Sequence, residues 1–143
     1  MAEIANIAAA LVAEINGHEF SQEFEAARRY VVEFELEQLA ELRVTVVPRA
    51  VDWAVASRSK GQYDYEFDVA IQKRSDPADL EACDALMGLV EEVADFLRGL
   101  SRLAEYPAGV ITGVRNEPVY GYTQLATQRV LTSVIRLSVR VMR

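Results

Sequence analysis

The stretch YDYEFDVAIQ, residues 63–72, changes chemical character at every step. Its odd-numbered positions are apolar or aromatic, whereas its even-numbered positions begin with carboxylates. The two sets are Tyr63, Tyr65, Phe67, Val69 and Ile71 on one side, and Asp64, Glu66 and Asp68 on the other. Because successive side chains of a β-strand point to opposite faces, the alternation predicts a strand with one face in the core and an acidic opposite face.

The preceding stretch RVTVVPRAVDWAVAS, residues 43–57, is rich in β-branched residues and predicts a second strand. Pro48 has no amide donor, so it predicts an edge position or a bulge in that strand. The expected buried side shifts there, from Val44 and Val46 to Val51, Trp53 and Val55. RSKGQ, residues 58–62, has the composition of a loop, and the whole segment therefore predicts a long β-hairpin.

Two segments carry the periodicity of helices. Apolar residues recur every three or four positions from Ala2 to Asn16, and Gly17 is a suitable stop. A long second helix is expected to start with Asp76 as N-cap and Pro77 at its first position. Its apolar stripe comprises Leu80, Cys83, Leu86, Met87, Val90, Val93, Ala94, Leu97 and Leu100, and its opposite side carries Glu81, Asp84, Glu91, Glu92 and Asp95. We expect this helix to cover the sheet.

The remaining segments give weaker signals. Alternation of Tyr30, Val32 and Phe34 predicts a strand around 27–36, although residues 23–29 also suit a helix. The glycine-punctuated segment between Pro107 and Arg129 predicts one short strand and a loop. VLTSVIRLSVRVMR, residues 130–143, alternates again and predicts a half-buried closing strand.

The order of these elements predicts the fold class. Strands that alternate in polarity favour an antiparallel or mixed sheet over a doubly wound parallel one. We therefore expect an α+β domain over residues 1–143, with the N-terminal helix and the long central helix packed on one face of the sheet. A chain of 143 residues is long enough to bury a substantial core.

Composition narrows the classes of function. The net charge of −7 argues against a general phosphate-binding surface, and the single cysteine excludes an internal disulfide, which favours a reducing environment during assembly. The apolar N-terminal segment starts with an acidic Glu3 and is short, so we expect neither a signal peptide nor a membrane span.

Few residues have the chemistry that catalysis requires. His18 is the only histidine and falls in a polar turn, and Cys83 falls on the apolar side of the long helix. Carboxylates at alternate strand positions are about 6 to 7 Å apart, too far for all three to bind one ion directly. Phosphate-binding glycine motifs are absent from the sequence. We expect no enzymatic activity, cofactor or metal.

Charged and aromatic residues suggest an interaction surface instead. Arginines at positions 129, 136, 140 and 143 put positive charge on the closing strand, and three of them could face acidic neighbours. We hypothesise that these charges organise contacts within or between subunits; a solvated sheet face is the simpler alternative for the carboxylates of residues 64–68. Tyrosines suit interfaces, although core packing is their default and the expected place of Trp53. The candidate interface or channel residues are Tyr63, Asp64, Tyr65, Glu66, Asp68, Arg58, Lys60, Tyr120, Tyr122, Arg136 and Arg140.

Four segments together resemble the tail terminator, or tail completion, proteins of long-tailed bacteriophages. They are IANIAAALVAEIN (4–16), LRVTVVPRAVDWAVASRSKGQYDYEFDVAIQKR (42–74), LEACDALMGLVEEVADFLRG (80–99) and RVLTSVIRLSVRVMR (129–143). The resemblance covers most of the chain and concerns the arrangement of elements, with no catalytic motif among them.

The resemblance implies an α+β subunit that forms a ring, commonly hexameric, on the last ring of the tail tube. Such a ring stops tube growth and provides the surface that joins the head. The implied partners are the chain itself, the tail tube protein and head–tail connector proteins. DNA would pass through without specific binding, and the location would be the virion tail or neck, after assembly in the host cytoplasm. Another neck component, such as a head-completion or head–tail joining protein, and a small ligand-binding module are the alternatives.

Overall fold

The computed structural model describes residues 2–32 and 35–143, which form an α+β structure around a mixed six-stranded sheet. The helices are α1 (Glu3–Asn16), α2 (Leu80–Gly99) and α3 (Tyr122–Gln128), with a 3-10 turn at Gln38–Ala40. The strands are β1 (Ala26–Arg28), β2 (Arg43–Val55), β3 (Gly61–Arg74), β4 (Arg102–Leu103), β5 (Tyr106–Asn116) and β6 (Val130–Met142). Their order in the sheet is β1-β2-β3-β6-β5-β4. β1 runs parallel to β2 and the other neighbours are antiparallel, which confirms the expected fold class.

The central strand β3 pairs with β2 on one side and with β6 on the other. Its odd-numbered residues from Tyr65 to Ile71 lie in the core, and Phe67 and Val69 are fully buried. α1 and α2 cover this same side of the sheet, since their apolar residues belong to one cluster with those of β3. The contributors from the helices include Ile7, Leu11, Ile15, Leu89, Val93 and Leu97. The alternation that defines residues 63–72 therefore separates a helix-covered face from an opposite polar face.

The predicted irregularity at Pro48 is present. The register between β2 and β3 shifts between Pro48 and Ala50, which moves the helix-facing side from the even to the odd positions of β2. Among the described residues, β1 pairs only with residues 44–46, so the rest of β2 forms an edge of the sheet. Pro48 thus lies where its missing amide leaves no broken pair with a neighbouring strand.

The strand expected around residues 27–36 is wrong in its extent. β1 is only Ala26–Arg28, while Tyr30 and Val31 are exposed outside regular structure. Phe34, the third member of the predicted alternation, lies outside the described residues. β1 is held by Asn16, whose side chain donates to the carbonyl of Ala26 at 3.1 Å and accepts from its amide at 2.8 Å. From the end of α1, the Asn16 side chain thus makes the pair of hydrogen bonds that another strand would make with Ala26.

The predicted start of α2 is also wrong. The N-cap is Asp79, whose carboxylate accepts a hydrogen bond from the amide of Ala82 at 3.1 Å. Asp76 instead stabilises the preceding turn by accepting from the amide of Ala78 at 2.9 Å. Leu80, placed in the apolar stripe, is exposed, whereas Leu89, left out of it, is fully buried. Two aspartates three residues apart offer alternative caps, and packing of the helix selects the second.

Residues 107–129 are more regular than predicted, because they contain the eleven-residue β5 and the helix α3. The glycines in β5 do not mark turns. A Cβ atom at Gly109 would lie 3.0 Å from Cγ1 of Val139, so the small residue allows close packing against β6. Gly113 follows a bulge, where the register between β5 and β6 shifts after Ile111.

The Asn16 contact gives a testable prediction about stability. Asn16→Ala should lower the free energy of unfolding by about 2 kcal/mol, because it leaves the buried amide and carbonyl of Ala26 without partners. Urea denaturation would measure this loss. Gln22→Ala is the control, since the Gln22 side chain makes one exposed hydrogen bond to the carbonyl of Ala85 and should cost much less. Equal losses in the two variants would contradict the role assigned to Asn16.

Candidate assembly surface

The polar face of the sheet carries a charge ladder, defined here as Arg49, Asp64, Glu66, Asp68, Arg136 and Arg140. Asp64 lies directly opposite Arg140 in the β3–β6 register. Arg140 donates from Nε to Oδ1 of Asp64 at 2.8 Å and from Nη2 to Oδ2 at 3.3 Å, which makes the contact bidentate. This hydrogen bonding lowers the pKa of the Asp64 carboxyl, while partial burial opposes the shift.

Asp68 occupies the middle of the ladder. Its Oδ1 lies 3.5 Å from Nε of Arg136, and its Oδ2 lies 3.4 Å from Nη1 of Arg49. Arg49 also approaches Glu66, with Nε 3.8 Å from Oε2. The Arg136 contact is an ion pair without hydrogen-bond geometry, and both of its atoms are buried without a hydrogen-bond partner among the described residues. Each of the three carboxylates is therefore paired with an arginine of the same subunit. The sequence hypothesis allowed contacts within or between subunits, and these pairs lie within one.

The ladder contains equal numbers of arginines and carboxylates. In β3 and in β6 the charged positions alternate with core positions, which lie on the opposite face of the sheet. The register sets Asp64 opposite Arg140 and Asp68 opposite Arg136, so both signs share one face. Neither an acidic nor a basic strand can then line a channel by itself. Arg49 was missed by the sequence analysis, because the bulge after Pro48 brings it beside β3. The shift of the buried positions of β2 from even to odd numbers at Pro48 was the sequence signal that could have revealed it.

A second feature is the hairpin end, defined here as residues 52–63. The last four residues of β2 are all exposed, and Trp53 and Val55 have 69% and 89% of their surface accessible. The expectation that Trp53 lies in the core is wrong. Its side chain is on the helix-covered side of the sheet, but it remains uncovered there, whereas Tyr65, nearer the helices, is buried.

The aromatic side chains of the hairpin end form an ordered stack. The ring of Trp53 lies 6.3 Å from that of Tyr63, and the ring of Tyr63 lies 6.4 Å from that of Tyr65, both nearly parallel. The guanidinium of Arg143 lies 4.2 Å from the centre of the Tyr63 ring and donates to the Tyr65 hydroxyl at 2.9 Å. These contacts join Trp53, Tyr63, Tyr65 and Arg143 into one ordered group.

The turn at the tip of the hairpin end carries two basic residues. The amides of Ala56 and Ser57 donate to the carbonyl of Lys60 at 3.1 and 3.0 Å, and the amide of Lys60 donates to Oγ of Ser57 at 3.1 Å. Arg58 and Lys60 are both exposed. No acidic residue occurs between Trp53 and Tyr63, so the tip is a cationic point on a chain of net charge −7.

The two tyrosine pairs of the sequence analysis are not brought together. Tyr63 pairs with Val141 near the end of β6, whereas Tyr122 begins the helix that precedes β6. Tyr120 and Tyr122 are exposed at that opposite end of the sheet. Of these four tyrosines the hairpin end therefore contains only Tyr63, on which Tyr65 stacks, together with Arg58 and Lys60.

The residues with catalytic or metal-binding chemistry lie apart from both features. His18 is exposed in its turn and stacks on the ring of Phe96 at 4.2 Å between ring centres. Cys83 is half-buried, with Sγ 3.2 Å from Oγ of Ser75. Over residues 2–32 and 35–143, no group of three or more His, Cys, Asp or Glu side chains is arranged to hold a metal ion.

The lowered pKa of Asp64 predicts how stability changes with pH. The pKa of the Asp64 carboxyl is lower in the folded state than in the unfolded state, where it is about 3.9. The resulting stabilisation is fully present above the unfolded pKa and is lost as the pH falls from there through the folded pKa. Asp64→Asn should therefore lose less stability than the wild type between pH 7 and pH 3, as measured by urea denaturation. Glu23→Gln, at an exposed position, should follow the wild type. An Asp64→Asn curve parallel to that of the wild type would contradict the prediction.

Comparison with known proteins does not assign the chain to a family. No family model matches the sequence, and no curated protein matches it either. Within the described ranges, every helix is too short or too polar to cross a membrane.

Proposed function

We propose that this chain is a structural subunit that assembles with copies of itself into a closed ring and caps the tail tube of a long-tailed bacteriophage. Self-assembly is supported by one observation at the hairpin end, where Trp53 and Val55 are exposed beside an ordered aromatic stack. Tryptophan is among the residues that contribute most to binding energy at protein interfaces. Its fixed position lowers the entropy lost when a partner binds.

The charge of this surface supports a ring. The hairpin end is a corner of the sheet formed by β2 and β3, and its tip carries Arg58 and Lys60, whereas Asp52 lies on β2 behind the tip. Two such tips would repel each other. We therefore infer that this surface binds a different surface of the next copy. Head-to-tail contacts of this kind generate closed rings when the rotation between subunits closes.

The place of the ring in a phage rests on the sequence resemblance to tail terminator proteins. In this role the ring would bind the tail tube protein, stop tube growth and present a surface to the head–tail connector proteins. It would act in the virion tail or neck after assembly in the host cytoplasm. The acidic chain and the balanced charge ladder offer no broad cationic surface to DNA, which suits passage of DNA without specific binding.

Assembly predicts a mass that is a multiple of 16.0 kDa in light scattering as concentration rises, and closed rings in electron micrographs. The double variant Trp53→Ser, Val55→Ser should remain monomeric, because it removes the exposed apolar surface. Its fold should lose less than about 1.5 kcal/mol, the scale of the lost aromatic pair. Tyr30→Ser, also an exposed aromatic position, is the matched control and should assemble as the wild type does. A wild-type mass of 16.0 kDa at every concentration, even with a chemical cross-linker, would contradict self-assembly.

The tail role has its own test. When the protein is mixed with tail tubes, electron microscopy should show a ring at one end of each tube, and further tube growth should stop at that end. Bare tubes, together with binding to the connector on DNA-filled heads, would instead support a head-completion protein.

A further inference from the structure

The turn at the tip of the hairpin end is cationic, since it carries Arg58 and Lys60 and no acidic residue occurs between Trp53 and Tyr63. Over residues 2–32 and 35–143, no ion pair involves Arg58 or Lys60. The tip and the exposed Trp53 and Val55 form one continuous end of the hairpin. A surface that fits it must combine negative charge with room for a large apolar side chain to approach closely.

The outer face of α2 has this combination, centred on Gly88. The five acidic residues of the helix lie three, four or seven positions from Gly88, which places them around it on one face. They are Glu81, Asp84, Glu91, Glu92 and Asp95. Asp95 pairs with Arg98, and Glu92 accepts hydrogen bonds from Ser21. The other three have no ion pair among the described residues.

Gly88 has no packing role within the subunit. A Cβ atom built there would meet nothing within 4 Å, and the residue is exposed in the middle of a twenty-residue helix. Glycine at such a position costs about 1 kcal/mol relative to alanine. Its neighbour Ala85 is also small and exposed, and its carbonyl accepts a hydrogen bond from the Gln22 side chain at 3.2 Å. The helix is therefore open to close approach at Gly88 itself, where an added Cβ atom meets no neighbour.

The two surfaces lie on different parts of the subunit. α2 packs against β5 and β6, whereas the hairpin end belongs to β2 and β3. One subunit can therefore use both surfaces at once, as each member of a ring must.

We propose that the hairpin end of one copy docks on the Gly88 face of α2 in the next copy. In this contact Arg58 and Lys60 face Asp84 and Glu91, and Trp53 covers the bare backbone at Gly88. The inference rests on the proposed ring, and it names the two surfaces that form each subunit contact.

Charge reversal on each surface tests the contact. Arg58→Glu with Lys60→Glu, and separately Asp84→Lys with Glu91→Lys, should each raise the concentration at half assembly by roughly a hundredfold, because like charges then meet at every contact. Mixing the two double variants should restore assembly, since each then finds an oppositely charged surface on the other. The mixed ring must contain an even number of subunits.

The outcomes separate this inference from the proposed function. If the wild type forms rings and both double variants do so equally well, the docking surfaces are wrong and the ring remains. If each variant fails alone and the mixture also fails, the two surfaces do not meet and the docking proposal is overturned. A wild type that never assembles overturns both proposals.

A single substitution gives a second test. Gly88→Gln should stabilise the isolated subunit in urea denaturation, because glutamine is the better helix former, and should weaken assembly by filling the space that Trp53 needs. Gly99→Gln is the control, since a Cβ atom there also meets nothing within 4 Å but the residue ends the helix, away from the docking centre. Assembly of Gly88→Gln at the wild-type concentration would overturn the proposed contact.

Discussion

The structure depends on the registration of β3 between two neighbours. Phe67 and Val69 must face the helices, and this places the carboxylates of Asp64 and Asp68 on the opposite face beside arginines of β6. Because side chains alternate, a slip of one residue would bring carboxylates into the core and take them away from their arginine partners. Hydrophobic burial and charge pairing therefore specify the same alignment, although each exposed ion pair contributes little alone.

The hairpin could be predicted because its signals are local. Alternation fixes the side on which each residue of β3 lies, and a proline in a β-branched run marks the bulge at residues 48–50. Weaker segments depend on distant contacts. Gly109 resembles a turn residue in sequence but serves close packing against Val139, and the length of β5 follows from its pairing with β6. No pattern within residues 107–129 contains that information.

The candidate site was likewise predictable only in part. Complementary charges on two alternating strands suggested pairing, but the partners follow from register, which sets Arg140 opposite Asp64. Arg49 joins the ladder only because of the bulge. The exposure of Trp53 was not predictable, since a tryptophan on the apolar side of a strand ordinarily lies in a core, and only the extent of helix coverage decides where that core ends.

Among the described residues, no strand pairs with the outer edge of β2 beyond residue 46, which bears on aggregation. An uncovered strand edge can recruit other chains and grow into fibrils. Here Pro48 lacks a donor and the bulge after it breaks the regular spacing of amides and carbonyls. Regular backbone pairing of another strand along this edge is therefore disfavoured, which protects the chain against fibril growth through β2.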